Sequence, residues 1–274
     1  MTRKTYYNLH FMSTPISIFL DIMSMRLKKK RALITGGAQG IGLAIAQTFC
    51  SEGALVYVAD VNSDQGEAAV SALKENGAQA TFIFLDVSDD ASWKAACGQI
   101  EEEAGGLDIL VNNAGINIRK TIEEMSAEEL DQMYAVNIKG PFLGIKHALP
   151  IMKAIGGGSI INMSSVCGLI GHLYTPEAYT TAKGALTTLT KAVASRYGKF
   201  NVRCNSINPS TADTPLVQEM LKNPEWKKER LGEVPLGRMA GLHDIAQAAL
   251  YLASEEGSFI NGVALPVDGG VTAY

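Results

Sequence analysis

Tyr179 and Lys183 stand four residues apart in Tyr179-Thr180-Thr181-Ala182-Lys183, at the head of a stretch whose pattern predicts a helix reaching Tyr197. Residues at i and i+4 share a helix face, so a phenol and an ammonium can meet there. A tyrosine of pKa ~10 is a poor base at neutral pH, but a cation within ~4–6 Å favours the phenolate and lowers that pKa. The pair then becomes a usable acid/base. The same spacing also suits an exposed Tyr and Lys on a helix, so the pattern alone leaves both readings open. Upstream, the apolar run 160–163 ends in Ser164-Ser165-Val166-Cys167-Gly168. A serine at the carboxyl end of a parallel strand points into the crevice where open α/β sheets bind ligands. No G-x-S-x-G elbow surrounds these serines and no histidine stands at a matching helix start, so a hydrogen bond from Ser165 to a carbonyl oxygen is preferred to nucleophilic attack.

A second constellation points to a dinucleotide. Thr35-Gly36-Gly37-Ala38-Gln39-Gly40-Ile41-Gly42 lies between a short apolar run and a helical stretch over 44–50. Glycines let the backbone turn tightly and approach a pyrophosphate, and a helix N-terminus adds unpaired N–H groups and a partial positive charge. A lone glycine pattern is weak, but about twenty residues beyond its centre the next apolar run ends in Asp60, where a carboxylate can accept both ribose hydroxyls. That charge repels a 2′-phosphate, and Gln39, Val61 and Asn62 bring no cation to neutralise one, so NAD(H) is expected over NADP(H).

The elements that must position these groups follow a βαβ rhythm from Arg31 onward. Apolar runs at 32–35, 55–60, 81–85, 109–112, 159–163, 202–208 and 263–267 alternate with longer helical segments, punctuated by Gly53, Gly77 and Gly105-Gly106 at helix ends. Runs that are apolar throughout suit parallel strands covered on both faces. The expected fold is therefore α/β, one doubly wound Rossmann domain with a seven-stranded, mostly parallel sheet and helices on both faces. The chain's 274 residues, 47% of them hydrophobic, suffice for one sizeable core. With 24 Lys+Arg against 28 Asp+Glu and a formal charge of −4, no electrostatic footprint for nucleic acid exists. Cys50, Cys97, Cys167 and Cys204 are scattered without a CxxC, and His10, His147, His172 and His243 are equally dispersed, so no metal site is expected and a cytoplasmic setting fits. Residues 1–24 lack the later periodicity. They are too interrupted by Pro15, Ser17 and Asp21 for a signal peptide or membrane span, and read as an N-terminal extension, disordered or the product of a mis-assigned start, with Met23 and Met25 as alternative starts. The cluster Lys28-Lys29-Lys30-Arg31 reads as a solvated strand entrance.

At these residues the chain resembles the short-chain dehydrogenase/reductase family, in its single-domain type of roughly 250 residues. The resemblance runs from about Arg31 to Gly270. TGGAQGIG is similar to the family's TGxxxGIG, which implies pyrophosphate contacts at Gly36, Gly40, Ile41 and Gly42, with Gln39 in the same turn. Asp60 matches the ribose reader of NAD-preferring members, and Asp86-Val87 the pair beside the adenine. Asn112-Asn113-Ala114-Gly115 is similar to the NNAG segment, placing Asn113, Ala114 and Gly115 along the cofactor. Asn137 in VNIKG matches the asparagine that holds a proton-relay water. Ser165, Tyr179 and Lys183 complete the tetrad. The implied mechanism is proton exchange between Tyr179 and a secondary alcohol or ketone while hydride passes to or from C4 of nicotinamide. Lys183 would bind the nicotinamide ribose and Ser165 would stabilise oxygen charge.

Departures limit the transfer. The family's PG after the sixth strand reads Pro209-Ser210, which removes a glycine's backbone freedom beside the cofactor, although Thr214 keeps the position expected to bind the carboxamide. The serine lies one residue further from Tyr179 than in many members, and Ser164 remains an alternative to Ser165. A lid over about 213–237 is expected to shape the substrate site, with Leu216, Val217, Met220 and Leu221 at helical spacing and His172, Tyr174 and Arg119 as further candidates. Its opening DTPLV is similar to stretches in ketone and secondary-alcohol reductases of the family, which favours a cyclic alcohol, hydroxysteroid or polyol-like substrate. A 3-oxoacyl-[acyl-carrier-protein] reductase is the alternative, and a non-catalytic nicotinamide-nucleotide sensor the alternative from another class. The closing segment 259–270 is similar to the family's frequent tetramer interface, so a homotetramer is expected.

Overall fold

The structure is a computed structural model that describes residues 25–220 and 222–274. The expectation for residues 1–24, and Leu221 of the lid, lie outside the described residues. Seven strands form one sheet in the order β3-β2-β1-β4-β5-β6-β7, and every neighbouring pair is parallel. They are β1 (Arg31–Thr35), β2 (Leu55–Asp60), β3 (Gln79–Phe84), β4 (Ile109–Asn112), β5 (Gly158–Met163), β6 (Val202–Pro209) and β7 (Ala264–Val267). Between them run α1 (Gly40–Ser51), α2 (Ser63–Glu75), α3 (Asp90–Ala104), α4 (Ala127–Tyr134), α5 (Gly140–Ala154), α6 (Glu177–Tyr197), α7 (Pro215–Met220), α8 (Pro224–Gly232) and α9 (Leu242–Ala253).

The strands alternate between two cores because successive side chains leave a strand on opposite faces. Ala32 and Ile34 of β1 join Val56, Val58, Ile161 and Ile207 under α1 and α9, packing on Phe49 and Ile245. Leu33 faces the other way, with Tyr57, Leu110 and Ile160 against Trp93 of α3 and Leu149 of α5. Both faces are therefore dry, which is why the strands read as unbroken apolar runs. Each fully buried Val, Leu, Ile or Phe contributes about 1.5–3 kcal/mol.

Some boundaries differ from the periodicity. β3 starts at Gln79 rather than Thr81 and leaves Leu85 outside the strand, its N–H donating to the Asp60 carbonyl across the strand ends. α1 begins at Gly40, ahead of the expected 44–50, because glycines hide a helix start that backbone geometry permits. The chain doubles back at β1. It runs outward to β2 and β3, then returns to place β4 on the other side of β1, and this reversal opens a crevice at the carboxyl ends of β1 and β4. Beyond β6 an isolated parallel bridge joins Ala212 to Ala240, so α7 and α8 form an excursion closed at its base over the same end of the sheet.

Candidate active site

Thr35, the last residue of β1, ties the crevice together. Its hydroxyl oxygen accepts the N–H groups of Asn113 and Ala114, each at 3.0 Å, and Asn113 Nδ2 donates to the carbonyls of Thr35 and Gly36 at 2.9 and 3.0 Å. The glycine turn is thereby clamped to the end of β4. Gly36 has φ +59°, and a Cβ there would sit 2.9 Å from Ala114 Cα, while one on Gly42 would lie 2.1 Å from the Gly36 carbonyl oxygen. Only glycine fits either position. α1 opens without a side-chain cap and without an acid in its first turn. By contrast, α2, α3 and α4 are capped by Asn62, Asp89 and Ser126. The first N–H groups of α1 and its partial positive charge are thus suited to an anion.

From this turn a cleft of about 600 Å³ extends past Gln39, Asp60, Asp86 and Val87 to Gly115 and Thr214. Asp60 Oδ2 accepts the Ala38 N–H at 3.3 Å and Oδ1 that of Asn62 at 3.1 Å, which holds the carboxylate at the rim. Asp86 is turned by the N–H and hydroxyl of Ser88, at 2.8 and 2.7 Å. Val87 is buried, its carbonyl accepting Trp93 Nε1–H at 2.9 Å. Phosphate-facing backbone, a ribose-height carboxylate and an apolar floor in series fit a dinucleotide.

Ile41, Asn113, Gly115, Ile116 and Thr214 also border a second cavity, of about 410 Å³, that holds Ser165, Tyr179, Lys183 and Pro209. α6 sets Tyr179 and Lys183 one turn apart, with Nζ 5.4 Å from the phenol ring centroid. Lys183 is buried, its Nζ donating to the Met163 carbonyl at 2.8 Å, and burial lowers its pKa to about 8. The expected drop in the Tyr179 pKa does not occur. Burial pushes the phenol above its ordinary value and the nearby Cys167 adds to this, while Arg119 and a hydrogen bond with Ser165 pull the other way. Desolvation of a phenolate outweighs these neighbours because it acts on the whole charged ring.

The two adjacent serines have different surroundings. Ser164 Oγ donates to the Lys183 carbonyl at 2.9 Å and pairs with Thr187 Oγ1 at 2.9 Å, so it is spent on α6. Ser165 caps the short turn Val166–Gly168, accepting the Cys167 N–H at 3.2 Å, and its hydroxyl also meets Tyr179. Asn137 sits in a π-helical turn, Ala135–Lys139, with its amide engaged at both ends by Ile116: Oδ1 accepts the N–H at 2.9 Å and Nδ2 donates to the carbonyl at 2.7 Å. Beyond these two bonds the amide keeps a second Nδ2–H and a second lone pair on Oδ1. A Cβ on Gly115 would lie 3.1 Å from Asn137 Oδ1 and 3.5 Å from Lys183 Nζ, so both groups converge on that glycine.

Ser210, in place of the family's glycine, costs no backbone strain: among described non-glycine residues only Lys29 and Asn201 have positive φ. Its Oγ is buried without a hydrogen-bond partner in the cavity wall. Thr214 Oγ1 accepts the Val217 N–H at 3.3 Å, where both cavities meet. His172, Tyr174 and Arg119 also reach the second cavity, as do Trp226, Arg230 and Glu233, which the sequence did not single out. Trp226 and Arg230 lie in PEWKKER, which has the composition of a solvated helix, and Glu233 follows three residues on, so no local signal marks them. Among the described residues no cluster of His, Cys, Asp and Glu suits a metal ion, and no helix is long and apolar enough to cross a membrane.

A parallel doubly wound sheet with a glycine turn at its switch point and a Tyr–Lys pair beside it defines a nucleotide-binding oxidoreductase architecture. A family model described as enoyl-(acyl carrier protein) reductase matches residues 36–272, and the chain belongs to the short-chain dehydrogenase/reductase family. It is 40% identical over 248 residues to a cyclopentanol dehydrogenase of Comamonas sp., covering 90% of this chain and 99% of that protein. It is 41% identical to a trans-4-hydroxycyclohexanecarboxylate dehydrogenase of Sinomonas cyclohexanicum, over 92% of this chain and 96% of that one. A solved gluconate 5-dehydrogenase from Burkholderia cenocepacia, in complex with NADP and tartrate, superposes with a TM-score of 0.87 at 31% identity, covering 91% and 97% of the two chains.

Proposed function

We propose that this oxidoreductase moves a hydride between NAD(H) and a cyclic secondary alcohol or its ketone, with Tyr179 as the acid/base. The observation that carries the reading is the meeting of Tyr179, Ser165 and Lys183 in one cavity that opens past Gly115 and Thr214 onto the cleft ending at Asp60. The names of the cyclopentanol and hydroxycyclohexanecarboxylate relatives support a ring alcohol. The bound nicotinamide supplies the hydride acceptor or donor.

In oxidation, Ser165 and Tyr179 hold the substrate hydroxyl between them, and the phenolate of Tyr179 removes its proton as the C–H bond breaks. Ser165 remains hydrogen-bonded to the oxygen as it becomes a carbonyl. Lys183, anchored on the Met163 carbonyl, keeps further N–H donors for the nicotinamide ribose hydroxyls and adds positive charge beside the phenol. The Asn137 amide, held by Ile116, keeps a second Nδ2–H and a lone pair on Oδ1 with which to hold a water that relays the proton from Lys183. Gly36, Gly40, Ile41 and Gly42 are assigned to the pyrophosphate, Asp86, Val87, Asn113 and Ala114 to the adenosine side, and Pro209 and Thr214 to the nicotinamide. The charge of Asp60 supports NAD over NADP. A cytoplasmic homotetramer is the setting proposed for the enzyme.

The family description favours a second reading, reduction of an acyl-carrier thioester. A screen of secondary alcohols, cyclic diols, hydroxysteroids, sugars and acetoacetyl thioesters with both cofactors separates the two. Fastest turnover of a ring alcohol with NAD is expected, and faster thioester reduction with NADPH would overturn it.

A further inference from the structure

One cation in the lid wall has no part in the hydride-transfer scheme. Arg230, on α8, is 7% exposed. Its guanidinium lies over the rings of Tyr174 and Trp226, 4.4 and 5.2 Å from their centroids, which fixes its plane. Nη1 reaches Glu233 Oε1 and Oε2 at 3.4 and 3.3 Å and His172 Nε2 at 3.5 Å. These are long beside the roughly 2.7–2.9 Å of a well-made charge-assisted bond. Nε is buried with no acceptor at all. A guanidinium taken out of water with one donor unmet and its ion pair stretched is poised for a further acceptor.

The groups around it narrow the choice of acceptor. The cavity lining carries Arg119, Lys183 and Arg230 against the single carboxylate of Glu233, so an anion is favoured. Glu233 disfavours a dianion such as a phosphate monoester. His172 pairs its Nδ1 with the Thr175 hydroxyl at 3.0 Å and its Nε2 with Glu233 Oε2 at 3.3 Å, so the Glu233 carboxylate is shared between His172 and Arg230. A guanidinium edge, Nε–H with one Nη–H, matches the two oxygens of a carboxylate. Tyr179 borders the same cavity, and Ile116, Val217 and Val234 provide apolar wall for a ring.

We propose that Arg230 is a specificity-determining residue that receives the carboxylate of a ring hydroxy acid whose hydroxyl lies at Tyr179. The inference rests on the dehydrogenase reading above and names the substrate class within it.

The test compares kcat/KM for a hydroxycyclohexanecarboxylate and for its neutral methyl ester, in the parent protein and in Arg230→Met and Arg230→Lys. The parent should favour the acid by about tenfold or more, Arg230→Met should bring that ratio to near one, and Arg230→Lys should restore part of it. A parent ratio near one, or a ratio that Arg230→Met leaves unchanged, overturns the assignment. Calorimetric titration with cyclohexanecarboxylate, which has no hydroxyl to oxidise, reads the same site without turnover. Binding that Arg230→Met abolishes supports the carboxylate site even if no alcohol is oxidised, in which case only the dehydrogenase reading falls. Turnover of neutral ring alcohols with no carboxylate binding sinks the Arg230 assignment and leaves the dehydrogenase reading standing.

Discussion

Burial moves Tyr179 and Lys183 of α6 in opposite directions: it disfavours the phenolate of the first and the ammonium of the second alike, raising the first pKa and lowering the second to about 8. Alcohol oxidation needs the phenolate, whose population grows with pH. Oxidation rates are therefore expected to climb from about pH 7 to pH 10 while ketone reduction, which needs the neutral phenol that burial favours, holds level over the same range, and a flat kcat profile for oxidation would contradict the acid/base role. Tyr179→Phe should lower kcat by about 10²–10⁴-fold and leave NADH affinity, read by its fluorescence, within a few-fold of the parent. Asp60 is proposed to act by charge at the cofactor's ribose. Asp60→Ala should shift the kcat/KM ratio of NAD to NADP toward NADP by about tenfold, one charged contact being lost; a parent that already uses NADP as well as NAD would refute the argument.

At the scale of elements, the glycine turn and α1 act as one piece with the end of β4. Thr35 and Asn113 hold them by four hydrogen bonds, and Gly42 lets the helix approach the Gly36 carbonyl. A methyl at Gly42 has nowhere to go without moving that carbonyl. Gly42→Ala should cost about 1–3 kcal/mol, as overpacking does, and calorimetry should show Tm falling by several degrees. Cofactor affinity should weaken more than tenfold, because the displaced backbone is the proposed pyrophosphate cradle. Wild-type stability in this variant would mean that α1 can slide. The π-helical turn before α5 has a related role: it places Asn137 against Ile116 and so sets the loop after β4 beside Lys183.

For the whole molecule, the sheet order brings the carboxyl ends of β1, β4, β5 and β6 to one edge, and the excursion from Ala212 to Ala240 lies over it. The described chain is anchored from its first turn, where Leu27 is fully buried and its N–H donates to the Glu52 carbonyl. A chain beginning at Met25 is accordingly expected to fold, to match the full chain in turnover, and to sediment in the same oligomeric state as the full chain. Insoluble protein, or a different sedimentation coefficient per protomer, would show that residues 1–24 contribute to the fold or assembly.

The parts legible in the sequence are those governed by local geometry. Apolar runs of strand length, the glycine turn with Asp60 one βα unit later, and the i, i+4 placement of Tyr179 and Lys183 all follow from backbone periods that neighbouring residues impose. Strand ends shifted by one or two residues, since hydrogen bonds between distant strands decide where pairing stops. The choice between Ser164 and Ser165 as the hydroxyl beside Tyr179, the engagement of the Asn137 amide by Ile116, the upward shift of the Tyr179 pKa and the arrival of Arg230 in the cavity depended on tertiary structure alone. Each is set by which distant segment removes water from a group and which partner it offers in return, and neither quantity is written in local order.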